Sequence, residues 1–121
     1  MRHRVVVTGA GVISALGHNC DEFWQELVAG RPGIRLIQTI ERGLLRFPNG
    51  AEVQGFDPSK HFEEKEIGLL DRFAQFGVVA ARQAIAQAGI EWNDELRANT
   101  AIVTGSCVGG QNTEDEGFVN L

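Results

Sequence analysis

The run Arg4-Val5-Val6-Val7-Thr8-Gly9-Ala10-Gly11-Val12-Ile13-Ser14-Ala15-Leu16-Gly17 joins a β-branched apolar stretch directly to a glycine-rich turn. Three successive valines are stiff at χ1 and suit a strand buried on both faces, the pattern of a parallel sheet in an α/β protein. The turn leads toward a helix. Asn19 and Glu22 have the spacing of a capping box, and Phe23, Trp24, Leu27 and Val28 fall on one helical face, which predicts a short helix over about 20–29. Gly30 supplies a left-handed stop, and Pro32 just beyond it prevents continuation.

Downstream the pattern weakens. Residues 34–55 read as an irregular excursion with one β-hairpin, in which Ala51-Glu52-Val53-Gln54 alternates as a short strand does. Asp57-Pro58-Ser59-Lys60 reads as a turn that starts a short charged helical segment. Phe73, Phe76, Gly77, Ala80, Ala81, Ala84, Ile85 and Ala88 then recur at three- and four-residue steps, predicting a helix over 72–88 that Gly89 ends. Its inner face is made of small residues, which permits close approach to a sheet or another helix. After a loop carrying Trp92, Asn93 and Asp94, Thr100-Ala101-Ile102-Val103-Thr104 reads as a second buried strand. It enters another glycine-rich turn, Gly105-Ser106-Cys107-Val108-Gly109-Gly110, and a polar stretch follows. Strand, helix, excursion, helix, strand is an open α/β unit with too few strands to cover both faces of a sheet.

With 121 residues the chain has room for one compact domain at most, spanning 1–121. Hydrophobic residues at 43% and charged residues at 22% place it among globular chains, and no apolar run approaches the roughly 20 residues of a membrane span. Residues 1–4 run straight into the first strand without a signal peptide's regions, so a cytoplasmic location is expected. A net charge of -5 without a basic stripe argues against nucleic acid as a partner. Cys20 and Cys107 lack the paired spacing of a disulfide framework or zinc site, and both read as reduced thiols.

Thr8-Gly9-Ala10-Gly11 after a strand raises the question of a dinucleotide, but Ser14 stands where the fingerprint has its third glycine. The helix whose N-terminus should face a phosphate begins only near Cys20, and Glu41, a candidate ribose ligand, lacks a convincing strand before it. Cys107, in a turn at a strand end, is a candidate nucleophile. It needs a base, and no motif sets His3, His18 or His61 against it, so a small side chain in a tight turn is the plainer reading. Cys20 has the same deficit. His18 reads as part of the turn and His61 as part of a solvated face. Glu63, Glu64, Glu66 and Asp71, interspersed with Lys65 and Arg72, read as an exposed ion-paired helical face rather than metal ligands.

Taken together, the segments resemble the N-terminal part of the β-ketoacyl-acyl-carrier-protein synthases, the elongating condensing enzymes of fatty-acid and polyketide synthesis. Residues 4–17 are similar to the family's first strand and loop. Phe23-Trp24-Gln25-Glu26-Leu27 and Gly30-Arg31-Pro32-Gly33-Ile34 are similar to its first helix and the exit from it. Gly55-Phe56-Asp57-Pro58 resembles its Phe-Asp-Pro turn, Asp71-Arg72-Phe73-Ala74-Gln75-Phe76 its Asp-Arg-Phe helix start, and residues 105–110 its Gly-Ser/Thr-x-x-Gly-Gly turn. Five motifs in the family's order span nearly the whole chain.

The resemblance implies a thiolase-like fold, with two similar α/β halves stacked as αβαβα, of which this chain matches the front of the first. It implies acyl transfer from a phosphopantetheine arm to a cysteine, then decarboxylation of malonyl thioester and carbon-carbon bond formation. The family's nucleophilic cysteine and its histidines have no match in these residues, so no catalytic residue, cofactor or metal is assigned. Val108 matches a position lining the acyl tunnel, with Cys107 beside it in place of a common glycine. The acyl carrier protein is the implied partner and a homodimer the implied assembly. In the carrier-docking segment, Lys65-Glu66-Ile67-Gly68-Leu69-Leu70 keeps the lysine and loses two arginines, leaving Lys65, helped by Lys60 and Arg72, to meet an acidic carrier. Two other readings are a non-catalytic chain-length partner subunit and a dinucleotide-binding module.

Overall fold

The structure, a computed structural model, describes residues 4–40, 43 and 45–119, without the side chain of Asn112. His3 and Glu41 lie outside the described residues. The elements are α1 (Cys20–Val28), a two-stranded antiparallel hairpin of β1 (Arg35–Leu36) and β2 (Asn49–Gly50), a 3₁₀ turn (Pro58–Lys60), and α2 (Glu64–Ile67). They continue with α3 (Arg72–Ala88), α4 (Asp94–Ala98) and α5 (Gln111–Val119).

The helix α3 has the predicted limits. Asp71 caps its start, and Gly89 closes it at φ 62, a left-handed conformation that costs a side-chain-bearing residue about 1–2 kcal/mol. α1 starts where expected, with Asn19 Oδ1 accepting the Glu22 N–H at 2.9 Å. The return arm of the box lands one residue early: the Glu22 carboxylate accepts the N–H of His18, at 2.8 Å. That backbone bond is the main cause holding the Glu22 carboxyl below its ordinary range. The apolar face of α1 is not covered, since Trp24 and Val28 are exposed.

The hairpin forms two residues earlier than the alternation at 51–54 suggested, with Arg35 opposite Gly50 and Leu36 opposite Asn49. Glu52 instead uses its side chain, accepting the N–H groups of Gln38 at 2.8 Å and Thr39 at 3.0 Å together with the Thr39 hydroxyl. A carboxylate holding the opposite arm overrides the period-two pattern. The predicted loop at 92–94 is the entry to α4, whose N-cap is Asn93, and the polar stretch after Gly110 is the helix α5.

The two predicted buried strands are the main correction. Residues 4–8 and 100–104 form no strand, and their side chains stand open, with Val5 92% and Val103 93% exposed. A β-branched run becomes a buried strand only where other strands and helices take up its backbone groups and both faces. Among the described residues the sheet has only β1 and β2. The core sits elsewhere: Phe56, Phe62 and Val79 are buried, packed by Ile13, Val53, Ile67, Leu70, Phe76 and Val78. Gln75, the buried polar side chain among the described residues, donates from Nε2 to the Leu70 carbonyl at 2.8 Å.

The small face of α3 receives the first glycine-rich turn. A Cβ on Gly9 would run into the carbonyl oxygen of Ala84, and one on Gly11 into that of Ala80. Two glutamines fasten the contact. Gln87 Oε1 accepts the Ala10 N–H at 2.6 Å, Gln83 Oε1 accepts the Val12 N–H at 3.1 Å, and Gln83 Nε2 donates to the His18 carbonyl at 2.6 Å.

Candidate functional site

The N-terminus of α3 is joined to α5 by one carboxylate. Asp71 Oδ1 accepts the Phe73 N–H at 3.1 Å, capping α3, while Oδ2 accepts the Thr113 N–H at 3.3 Å and the Thr113 hydroxyl. The Thr113 hydroxyl, followed by the Phe73 N–H, holds the Asp71 carboxyl below the usual carboxylate range. This link draws the second glycine-rich turn onto the aromatic start of α3. A Cβ on Gly109 would lie 2.6 Å from Phe73 Cε2, so with this ring position the turn sits this close because glycine occupies the position.

Between them lies an open cleft of about 230 Å³. Asp71, Arg72, Phe73 and Phe76 form one wall, and Val108 through Gln111 form the other. The two phenylalanines and Val108 give it an apolar patch, beside the charged Asp71 and Arg72.

The structure separates the residues singled out from sequence. Val108 is on the cleft wall, whereas Cys107 is exposed and outside the lining. Arg72 lines the cleft but turns inward: Nη2 donates to the Val53 carbonyl at 2.6 Å, and the guanidinium lies 5.0 Å from the Phe76 ring centre and 5.9 Å from that of Phe56. Lys60 ends the 3₁₀ turn and Lys65 lies on α2, both exposed and both away from the cleft lining. Lys65 pairs with Glu63 at 2.7 Å, as expected of a solvated charged face. Asp71 departs from that expectation, because it serves as cap and tether.

His18 and His61 are engaged on Phe56, His18 edge-on at 6.0 Å between ring centres and His61 stacked at 5.4 Å. His61 therefore packs on the core while remaining exposed to solvent. Cys20 is half-buried beside Ala10, Gln83 and Gln87. The first glycine turn is a packing joint, with the Ala10 and Val12 amides donating to glutamine side chains where a phosphate cradle needs them aimed at ligand. Among the described residues no cluster of three or more His, Cys, Asp or Glu side chains is arranged to hold a metal ion, and no helix is long and apolar enough to cross a membrane.

Sequence reasoning missed the Asp71–Thr113 link, since 42 residues separate the partners. It also missed the glutamine clamp, which was detectable only as two polar residues at i and i+4 on the small-residue side of α3.

Residues 2–120 match the model of the β-ketoacyl synthase N-terminal domain, and the chain belongs to that family. Two similar proteins are both 3-oxoacyl-[acyl-carrier-protein] synthase 2. The one from Coxiella burnetii is 37% identical over 109 residues, and the one from Vibrio cholerae is 34% identical over 109. Each alignment covers 90% of this chain and 26% of the relative, so the chain spans about a quarter of the length of the curated relatives it matches. Among solved structures, the ishigamide ketosynthase/chain length factor is similar at 35% identity and a TM-score of 0.65, covering 75% of this chain and 23% of that one. These matches fit a thiolase-like fold. The described residues form a small mixed helix and sheet unit within it.

Proposed function

We propose that this chain supplies scaffold and acyl-pocket wall to a 3-oxoacyl-acyl-carrier-protein synthase, which extends an acyl chain by decarboxylative condensation with a malonyl thioester. The observation that carries this reading is the apolar cleft between Phe73, Phe76 and Val108, in a chain whose family and relatives are ketosynthases. The chemistry requires a nucleophilic cysteine and histidines that support an enolate, and this reading assigns no residue of the chain to those parts. Residues 4–8 and 100–104 serve as strands in the αβαβα layers of the assembled enzyme, which works as a homodimer in the cytoplasm. The partner is an acidic acyl carrier protein, met by Lys60 and Lys65. Arg72, held on Val53 and the phenylalanines, supports the cleft behind them.

A medium-chain acyl pantetheine thioester with a photoreactive terminus tests the reading, with labelled peptides mapped after irradiation. Label on Phe73, Phe76 or residues 108–111 is the expected result. Label confined to the open apolar runs at 4–8 and 100–104, or a thioester on Cys107, would overturn it.

A second reading is a non-catalytic chain-length partner subunit, favoured by the chain length factor named with the ketosynthase in the structural match. Grafting residues 2–120 into a ketosynthase and into a chain length factor separates the two: the enzyme reading predicts that only the first graft functions, and the partner reading that only the second does.

A further inference from the structure

A hydrogen-bonded pair links the two walls of the cleft. Asp71 is the first residue of one wall, and Thr113 lies two residues beyond Gln111, the last residue of the other. Asp71 spends one oxygen on the Phe73 amide, at the start of the helix that carries one wall, and the other on Thr113, in the helix that follows the opposite wall. Between the two anchors, Gly109 rests on the Phe73 ring, and Gly110, at φ 96, turns the chain into α5. The position of Val108 relative to Phe73 and Phe76 is therefore tied to the contact that the Thr113 hydroxyl and N–H make with Asp71, at the polar edge of the cleft.

We propose that Asp71 and Thr113 are a positioning pair that sets the width of the cleft at Val108 and so restricts which acyl chains it accepts. The inference rests on the acyl-pocket reading above. Hydrogen bonds to a charged carboxylate are stronger than neutral ones, so loss of the hydroxyl alone should loosen the wall while the Asp71 cap on α3 remains.

The test uses the full chain, with Thr113→Val as the isosteric loss of the hydroxyl and Thr113→Ser as the variant that keeps it. In the parent, the α-protons of Gly109 should be shifted by the ring current of Phe73. Thr113→Val should lose that shift and Thr113→Ser should retain it. Titration with octanoyl pantetheine should then move the Val108 methyl resonances in the parent and Thr113→Ser, and several-fold less in Thr113→Val. A Gly109 shift unchanged in Thr113→Val, or lost equally in Thr113→Ser, overturns the positioning role. If the Gly109 shifts behave as expected but octanoyl pantetheine leaves Val108 unmoved in every form, the latch stands and both its restriction on acyl chains and the acyl-pocket reading fail.

Discussion

Gly9 and Gly11 show how a single missing methyl group decides what a glycine-rich turn is for. Each faces a backbone carbonyl of α3, so neither neighbour can yield by changing rotamer. Gly9→Ala or Gly11→Ala should lower stability by about 1–3 kcal/mol through overpacking, read as a fall in the urea midpoint. From sequence, these glycines raise the question of a phosphate loop. The absent third glycine at Ser14 and the late helix start already pointed away from one, but Gln83 and Gln87 revealed their use only once α3 was placed against the turn. Glu52 offers a pH test. The Thr39 hydroxyl, then the Gln38 and Thr39 amides, bring its carboxyl from 4.5 down to about 2. A depressed folded value means that its contribution is complete above about pH 4.5 and is lost as the pH falls through about 2. The amide resonances of Gln38 and Thr39 should hold steady from neutral pH and move only in that acid range. Glu52→Gln should shift them already at neutral pH.

Helices were readable where their signals are local. The limits of α3 follow from apolar and small residues at helical spacing and a terminal glycine, all within one segment, and the structure adds the Asp71 cap. Gly89 is open around its missing Cβ, so Gly89→Ala isolates the backbone penalty and should cost about 1–2 kcal/mol, measured by thermal or urea unfolding. The short elements were less readable. α4 is one turn and a half built on the Asn93 cap, and the hairpin register depends on Glu52 reaching across to residues 38 and 39. The valine run at 5–7 and the pair Ile102-Val103 carry correct strand chemistry, but a strand is made by its neighbours, and those neighbours are not among the described residues.

The surface of the molecule states the same dependence as a quantity. The accessible area is 10188 Å², whereas a compact monomer of 13.2 kDa exposes about 6,400 Å². The excess includes Val5, Val7, Ile102 and Val103, all apolar, and it is surface that the proposed αβαβα layers would cover. The chain alone should therefore bind a dye that fluoresces on apolar surfaces far more than a compact protein of equal mass. The candidate cleft was only half readable: Val108 came from family resemblance, whereas Asp71 and Thr113 came from geometry across 42 residues. The central claim is that this chain is a working ketosynthase front, and the most direct measurement is a graft of residues 2–120 into the matched segment of the Coxiella burnetii synthase. The account predicts that the graft condenses acyl and malonyl thioesters, while the same synthase without that segment does not. A folded graft that forms no condensation product would contradict it.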